Sequence, residues 1–136
     1  MKRTPHQRAE MELTKAGLAL PETDAAPGWK ATRCLRVRGR MFCIFGEPAD
    51  MPGHKGNRDA LGLTIVVKLP VSAEMAEQLY FVREGSSWYK KHNWVIAHFD
   101  PEDDILVELE TLKAWLIQSY CAMAPKKLAK LVQAAP

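Results

Sequence analysis

The stretch TRCLRVRGRMFCIFG, Thr32–Gly46, decides the fold. Leu35 and Val37 alternate with Arg36 and Arg38, Gly39 interrupts, and the chain resumes with Phe42 and Ile44 apolar. Period-two alternation broken by a glycine is the pattern of a β-hairpin. Successive strand side chains point to opposite faces, and glycine supplies the positive φ of a tight turn. Two turns satisfy the pattern, Gly39-Arg40 and Arg38-Gly39, and both put Phe42 and Ile44 on the face of Leu35 and Val37. Only the second sets Cys34 opposite Cys43. Glycine at the first turn position favours Gly39-Arg40, so the expected register keeps these thiols apart and reduced.

Upstream, TPHQ reads as a capping box, with Thr4 as N-cap, Pro5 at the first helical position and Gln7 at N3. Ala9, Leu13, Ala16, Gly17 and Leu20 then form a helical stripe that Pro21 stops. Downstream, EPADMPGHKGNRDA is a polar excursion, a flexible loop over residues 46–61, and it lacks the GxxxxGK of a phosphate cradle. LGLTIVVKLP alternates as a third strand, with Leu63, Ile65 and Val67 on one face. SAEMAEQLYFV reads as a helix capped by Ser72.

SSWYKKHNWVIAHFD, Ser86–Asp100, reads as a second hairpin, with a strand around SSWYKK, a turn at His92-Asn93 and a strand WVIAHF. Asp103 or Asp104 caps a helix whose stripe runs Ile105, Leu109, Leu112, Leu116 and Tyr120. APKKLAKLV restarts as a short helix with Leu128, Leu131 and Val132 facing in. The order is α-β-β-β-α-β-β-α-α, an α+β domain with an antiparallel sheet of about five strands. The expected core is Leu13, Leu20, Leu35, Val37, Phe42, Ile65, Val67, Leu79, Trp94, Ile96, Leu109, Leu112 and Leu116.

The totals agree with a single domain over residues 1–136. At 136 residues, 47% hydrophobic and 26% charged, the chain is long enough to bury a core. No apolar run approaches the roughly 20 residues of a membrane span. MKRTPHQRAEMELTK has no apolar centre and is not a secretory leader. Cys34, Cys43 and Cys121 show no CxxC pairing, which fits reduced thiols in the cytoplasm.

Charge is unevenly placed. Lys30, Arg33, Arg36, Arg38 and Arg40 lie within eleven residues that hold no acid, whereas Asp100–Glu110 holds six acids and no base. Alternation sets Arg36 and Arg38 on one strand face, with Arg40 at or beside the turn. Guanidinium groups on a two-stranded ribbon can meet phosphates, and so can a defended, solvated sheet edge carry them. Lys90 and Lys91 form a second basic tip beside Trp88, whose indole can stack on a base or pack across strands. Trp94 begins a run that enters the core.

Enzyme motifs are absent: there is no GxSxG, HExxH or GxGxxG. The spacing of Cys34, Cys43, Cys121 and His98 fits no zinc pattern. DPEDD could hold a hard cation such as calcium or iron, but aspartates before a helix already serve as caps and dipole partners, and nothing links His6 or His54 to a carboxylate. The reading is a non-enzymatic protein without metal or cofactor.

Four strings resemble the MmcQ/YjbR family of small bacterial proteins. They are LALPE at Leu18–Glu22, LRVRGRMF at Leu35–Phe42, NWVIAHFD at Asn93–Asp100 and SYCAMAPKKL at Ser119–Leu128, in the family's order. The loop Glu47–Ala60 is longer than the family norm. The resemblance implies a secretion-chaperone-like α+β fold whose paired hairpins form a double wing, a shape from which DNA binding is inferred. Expected phosphate contacts are Arg36, Arg38, Arg40, Lys90 and Lys91, with Trp88 stacking, on duplex DNA bound non-specifically or weakly specifically. The alternative is an interaction or chaperone-like domain that offers an apolar sheet face to a partner chain.

Overall fold

The computed structural model describes residues 4–27, 32–46, 62–85 and 87–134. The loop expected over 46–61 lies outside them apart from Gly46, as do Lys30 and His54. Helix α1, Pro5–Leu18, begins with the anticipated capping box: the Thr4 hydroxyl accepts from the Gln7 backbone N–H, and the Gln7 side chain accepts from that of Thr4. Its C-terminal carbonyls are met by a side chain from the next strand, since the Thr23 hydroxyl donates to the carbonyls of Gly17 and Leu20.

The sheet has six strands in the order β1-β2-β3-β4-β6-β5, all neighbours antiparallel. They are β1 Thr23–Pro27, β2 Arg33–Val37, β3 Arg40–Phe45, β4 Leu63–Lys68, β5 Val82–Arg83 and β6 Trp94–Phe99. The α+β class and the antiparallel sheet are those expected, with one strand more. Two strands, β1 and β5, are new and the expected SSWYKK strand is absent. The expected order α-β-β-β-α-β-β-α-α thus gains a strand after the first helix, and β5 takes the place of the end of the second helix. The β1 sequence, TDAAP, carries little strand propensity and ends in proline, which an edge strand tolerates because one side of its backbone needs no ladder partner.

The hairpin of β2 and β3 departs from the expected register. Arg38 and Gly39 form the two-residue turn, both at positive φ (48° and 81°), with Val37 opposite Arg40. That pair of left-handed residues matches the right-handed twist of the flanking strands, which outweighs the cost of αL for arginine. The register then shifts between Leu35 and Arg36, so that Leu35 faces Cys43 and Cys34 faces Ile44. Phe42 is the extra residue of a β-bulge. As a result Phe42 and Cys43 both enter the main core, while Ile44 moves to the opposite face. The bulge, rather than the turn, separates Cys34 from Cys43, and all three cysteines are free.

Ser119 closes the gap the bulge leaves. Its hydroxyl accepts the Lys68 N–H at 2.8 Å and donates to the Phe42 carbonyl, bridging the β3 and β4 backbones where their direct pairing stops. Ser119 belongs to helix α4, Leu109–Met123, which follows a 3₁₀ turn over Ile105–Glu108. α1 and α4 cover one face of the sheet and bury Leu13, Leu35, Val37, Phe42, Ile65, Val67, Ile105, Leu112, Leu116 and Tyr120. Ile96 is buried on the other face, and Leu20, Trp94 and Leu109 are partly buried.

Leu79 differs from expectation. It is 37% exposed, because helix α2 is only Ala73–Ala76 and the chain past it turns toward β5. Helix α5, Lys126–Ala134, follows Pro125 and buries Leu128, but leaves Leu131 exposed to solvent at 59%.

The second expected hairpin is replaced. Ser87–Lys91 is a short helix, α3, and β6 pairs with β4 on one side and with the two-residue β5 on the other. Aromatic-rich SSWYKK has strand propensity, yet Tyr89 gains more by lying across Val66 and Ile96 on the sheet face that α1 and α4 leave open. Asn93, at φ 61°, turns the chain from α3 into β6.

Candidate nucleic-acid interface

Strand pairing places the two basic turns at the same end of the sheet. The Arg38-Gly39 turn joins β2 and β3, and β3 runs antiparallel to β4, so the turn lies at the Lys68 end of β4. Lys68 is opposite Trp94, the first residue of β6, and therefore α3 and the Asn93 turn emerge there too. Two strand spacings separate β3 from β6, about 10 Å, close to the width of a DNA major groove.

Two sets of paired side chains lie at this end on the face opposite α1 and α4. Arg36 pairs with Asp24 on one side and Met41 on the other, and Lys68 pairs with Trp94. The Lys68 ammonium lies 5.9 Å from the Trp94 ring centroid, a cation–π arrangement. On the same face sits α3. Tyr89 is its buried anchor, while Trp88 is 56% exposed. The Trp88 indole contacts Tyr89 edge-on, with centroids 5.4 Å apart, and tilts against the His92 ring at 4.8 Å.

The cations expected at the interface divide into two groups. Arg36 makes a two-pronged pair with Asp24, Nε to Oδ1 at 2.9 Å and Nη2 to Oδ2 at 2.7 Å. Arg38 does the same with Glu22, at 2.7 and 3.0 Å, and Lys90 bonds Glu84 at 2.7 Å. Hydrogen bonds from the arginines hold the Glu22 and Asp24 carboxyls below their ordinary range, and the bond from Lys90 does the same for Glu84. Arg40 and Lys91 have no carboxylate partner among the described residues, and neither does Lys68.

Sequence reading could not see these pairs, because Asp24 meets Arg36 only through the β1–β2 register. Lys68 was missed as well. Its one signal was a charge ending the apolar run of β4. Next to α3 a pocket of about 230 Å³ opens, lined by Glu77, Arg83, Glu84, Lys90 and Trp94 among others.

His98 has a different role from the zinc ligand weighed above. Its Nδ1 lies 2.7 Å from the Thr64 hydroxyl and its Nε2 3.1 Å from Asp100 Oδ1. The His6 ring reaches the Asp100 carbonyl, and Arg83 lies 3.6 Å from the Asp100 carboxylate. Hydroxyl, imidazole and carboxylate in series resemble a nucleophile relay. With Thr64 only 3% exposed, however, the hydroxyl cannot meet a substrate in this arrangement, and the chain instead ties β4 to β6 and the loop beyond it. Among the described residues, no cluster of three His, Cys, Asp or Glu side chains could hold a metal, and Cys34, Cys43, Cys121 and His98 do not converge. No helix among them is long and apolar enough to cross a membrane.

The curated proteins include no match to this chain. A model of the YjbR family does match, over residues 18–122, a span that takes in every strand of the sheet and nearly all of α4. It begins at the LALPE string and encloses the arginine hairpin and the NWVIAHFD strand, so the chain belongs to the YjbR family.

Proposed function

We propose that this protein is a nucleic-acid-binding module that contacts phosphates at the basic end of its sheet and performs no catalysis. One observation carries the reading. The β2–β3 turn and the α3–β6 turn leave the sheet at the same end, where Arg40, Lys68 and Lys91 have no carboxylate partner among the described residues and Trp88 on α3 is exposed. Arg36, Arg38 and Lys90 are held by carboxylates, and a phosphate engages them only by displacing Asp24, Glu22 or Glu84. They orient and fill the surface more than they supply free charge. Phosphate contacts position a protein without reading sequence, so binding is non-specific or weakly specific.

The test is fluorescence anisotropy of a labelled random-sequence duplex at several salt concentrations. Three phosphate contacts give a slope of log affinity against log salt of roughly −3, rather than the −4 to −5 of five free cations. The double variant Arg40→Ala/Lys91→Ala lowers the steepness by about two. Affinity that stays flat across salt refutes the proposal.

A partner-chain reading retains one supporting observation, the exposed Val71, Met75 and Tyr80 around α2. The sheet face itself offers less, since Cys34, Val66 and Ile96 on it are already buried.

A further inference from the structure

We infer that the nucleic acid taken by this surface is single-stranded, with an unpaired base stacked on the Trp88 indole. This deepens the reading just given and rests on it. Among the described residues at this end, Arg36, Arg38 and Lys90 are already tied to carboxylates, which leaves Arg40, Lys68 and Lys91 to supply the counterion release on which duplex affinity largely rests. A second source of affinity is present in the exposed indole. Trp88 is held between the Tyr89 and His92 rings while more than half of it faces solvent. An aromatic fixed in this way loses little side-chain freedom when it binds.

Its anchoring is built into the fold. Tyr89, next to it, packs on Val66 and Ile96 in the cluster that Trp94 also joins, so α3 carries the indole on an anchored helix instead of a free loop. Arg36 on β2 and Trp94 on β6 stand three strand spacings apart at this end, about 14 Å, room for a short stretch of extended strand. Apart from the terminal pairs, bases in a duplex are stacked on both neighbours and offer no free face to Trp88. An unpaired base does, and one such stack changes affinity by roughly 5- to 150-fold.

The experiment compares a labelled twelve-nucleotide oligothymidylate with a twelve-base-pair duplex at the same low salt. The oligothymidylate is expected to bind about tenfold more tightly. Trp88→Ala should weaken it at least fivefold and leave the duplex unchanged, Trp88→Phe should retain most of the preference, and Lys91→Ala should weaken both alike. If the alanine variant is poorly folded by circular dichroism, Trp88→His, which keeps a smaller ring, takes its place with the same expectation of partial loss for the oligothymidylate alone. Equal or tighter duplex binding, or equal effects of the Trp88 variants on both ligands, overturns the inference but leaves the phosphate-contact reading standing where the salt slope persists. Absence of salt-dependent binding to either ligand removes both.

Discussion

Replacing Ser119 by alanine tests whether the bulge in β3 is held by a side chain from α4. Ser119 is fully buried, and its one hydroxyl serves two backbone groups that cannot reach each other, the Phe42 carbonyl and the Lys68 N–H. Ser119→Ala removes both bonds and admits no replacement donor or acceptor of similar size. A buried backbone group left unsatisfied costs about 1–3 kcal/mol, so two such groups cost about 2–4 kcal/mol after partial relaxation. Alanine recovers about 0.5 kcal/mol through its better helix propensity. The expected net loss is about 1.5–3.5 kcal/mol, a sizeable part of a domain's 5–15 kcal/mol, and lowers the melting temperature by about 5–12 °C. Urea unfolding followed by circular dichroism measures it, with an unchanged m-value showing that the change lies in stability. The control is Ser87→Ala at an exposed position, which should stay within about 0.5 kcal/mol of the parent. A loss under about 0.5 kcal/mol for Ser119→Ala would refute the bridging role.

Two glycines at positive φ should respond differently to alanine. A Cβ at Gly39 meets nothing within 4 Å, so Gly39→Ala costs only the left-handed backbone, about 1 kcal/mol. A Cβ at Gly62 would sit 1.9 Å from the Phe99 carbonyl oxygen, so Gly62→Ala should cost several times more; similar midpoints for the two variants in denaturant would contradict this. The cysteines should give an intact mass equal to that of three thiols, and a native-state thiol reagent should label half-buried Cys121 ahead of Cys34 and Cys43. Burial raises all three thiols above their ordinary value of 9.0, so the folded state keeps them protonated while the unfolded chain ionises. Their contribution to stability is therefore complete below pH 9 and falls as pH rises beyond it, which melting curves from pH 8 to 10.5 should record as a steeper decline than in the Cys43→Ala variant measured alongside. At the acid end, Asp24 and Glu22 contribute above the ordinary carboxylate range and lose that contribution as pH falls through their lowered values; Arg36→Gln and Arg38→Gln should flatten this limb.

Several elements were legible in the sequence because the forces that form them are local. The Thr4 box, the α1 stripe from Ala9 to Gly17 and the alternation of β4 depend on residues a few positions apart and form as read. The α4 stripe holds only from Leu109, because Ile105–Glu108 is a 3₁₀ turn and the expected Asp104 cap makes no side-chain bond. The hairpin at Gly39 was legible as a hairpin, and so were the family resemblance and the crowding of cations at its tip. Its register was not. The bulge that turns Ile44 to the far face is completed by Ser119, 77 residues away, and no pattern within Thr32–Gly46 carries that information.

α3 was misread for a similar reason. Tyr89 in isolation prefers a strand, and only the assembled sheet creates the Val66–Ile96 surface that holds it in a helix. The interface needed the tertiary structure most. Sequence alone supplied Arg36, Arg38, Arg40, Lys90 and Lys91 as a list of like charges. Pairing of a low-propensity edge strand brought Asp24 and Glu22 onto two of the arginines, and the antiparallel order β3-β4-β6 brought both turns and Lys68 to one end. Local periodicity determines which segments become helices and strands, but net charge at a surface depends on which distant side chains become neighbours, and the chain fixes that only when the sheet closes.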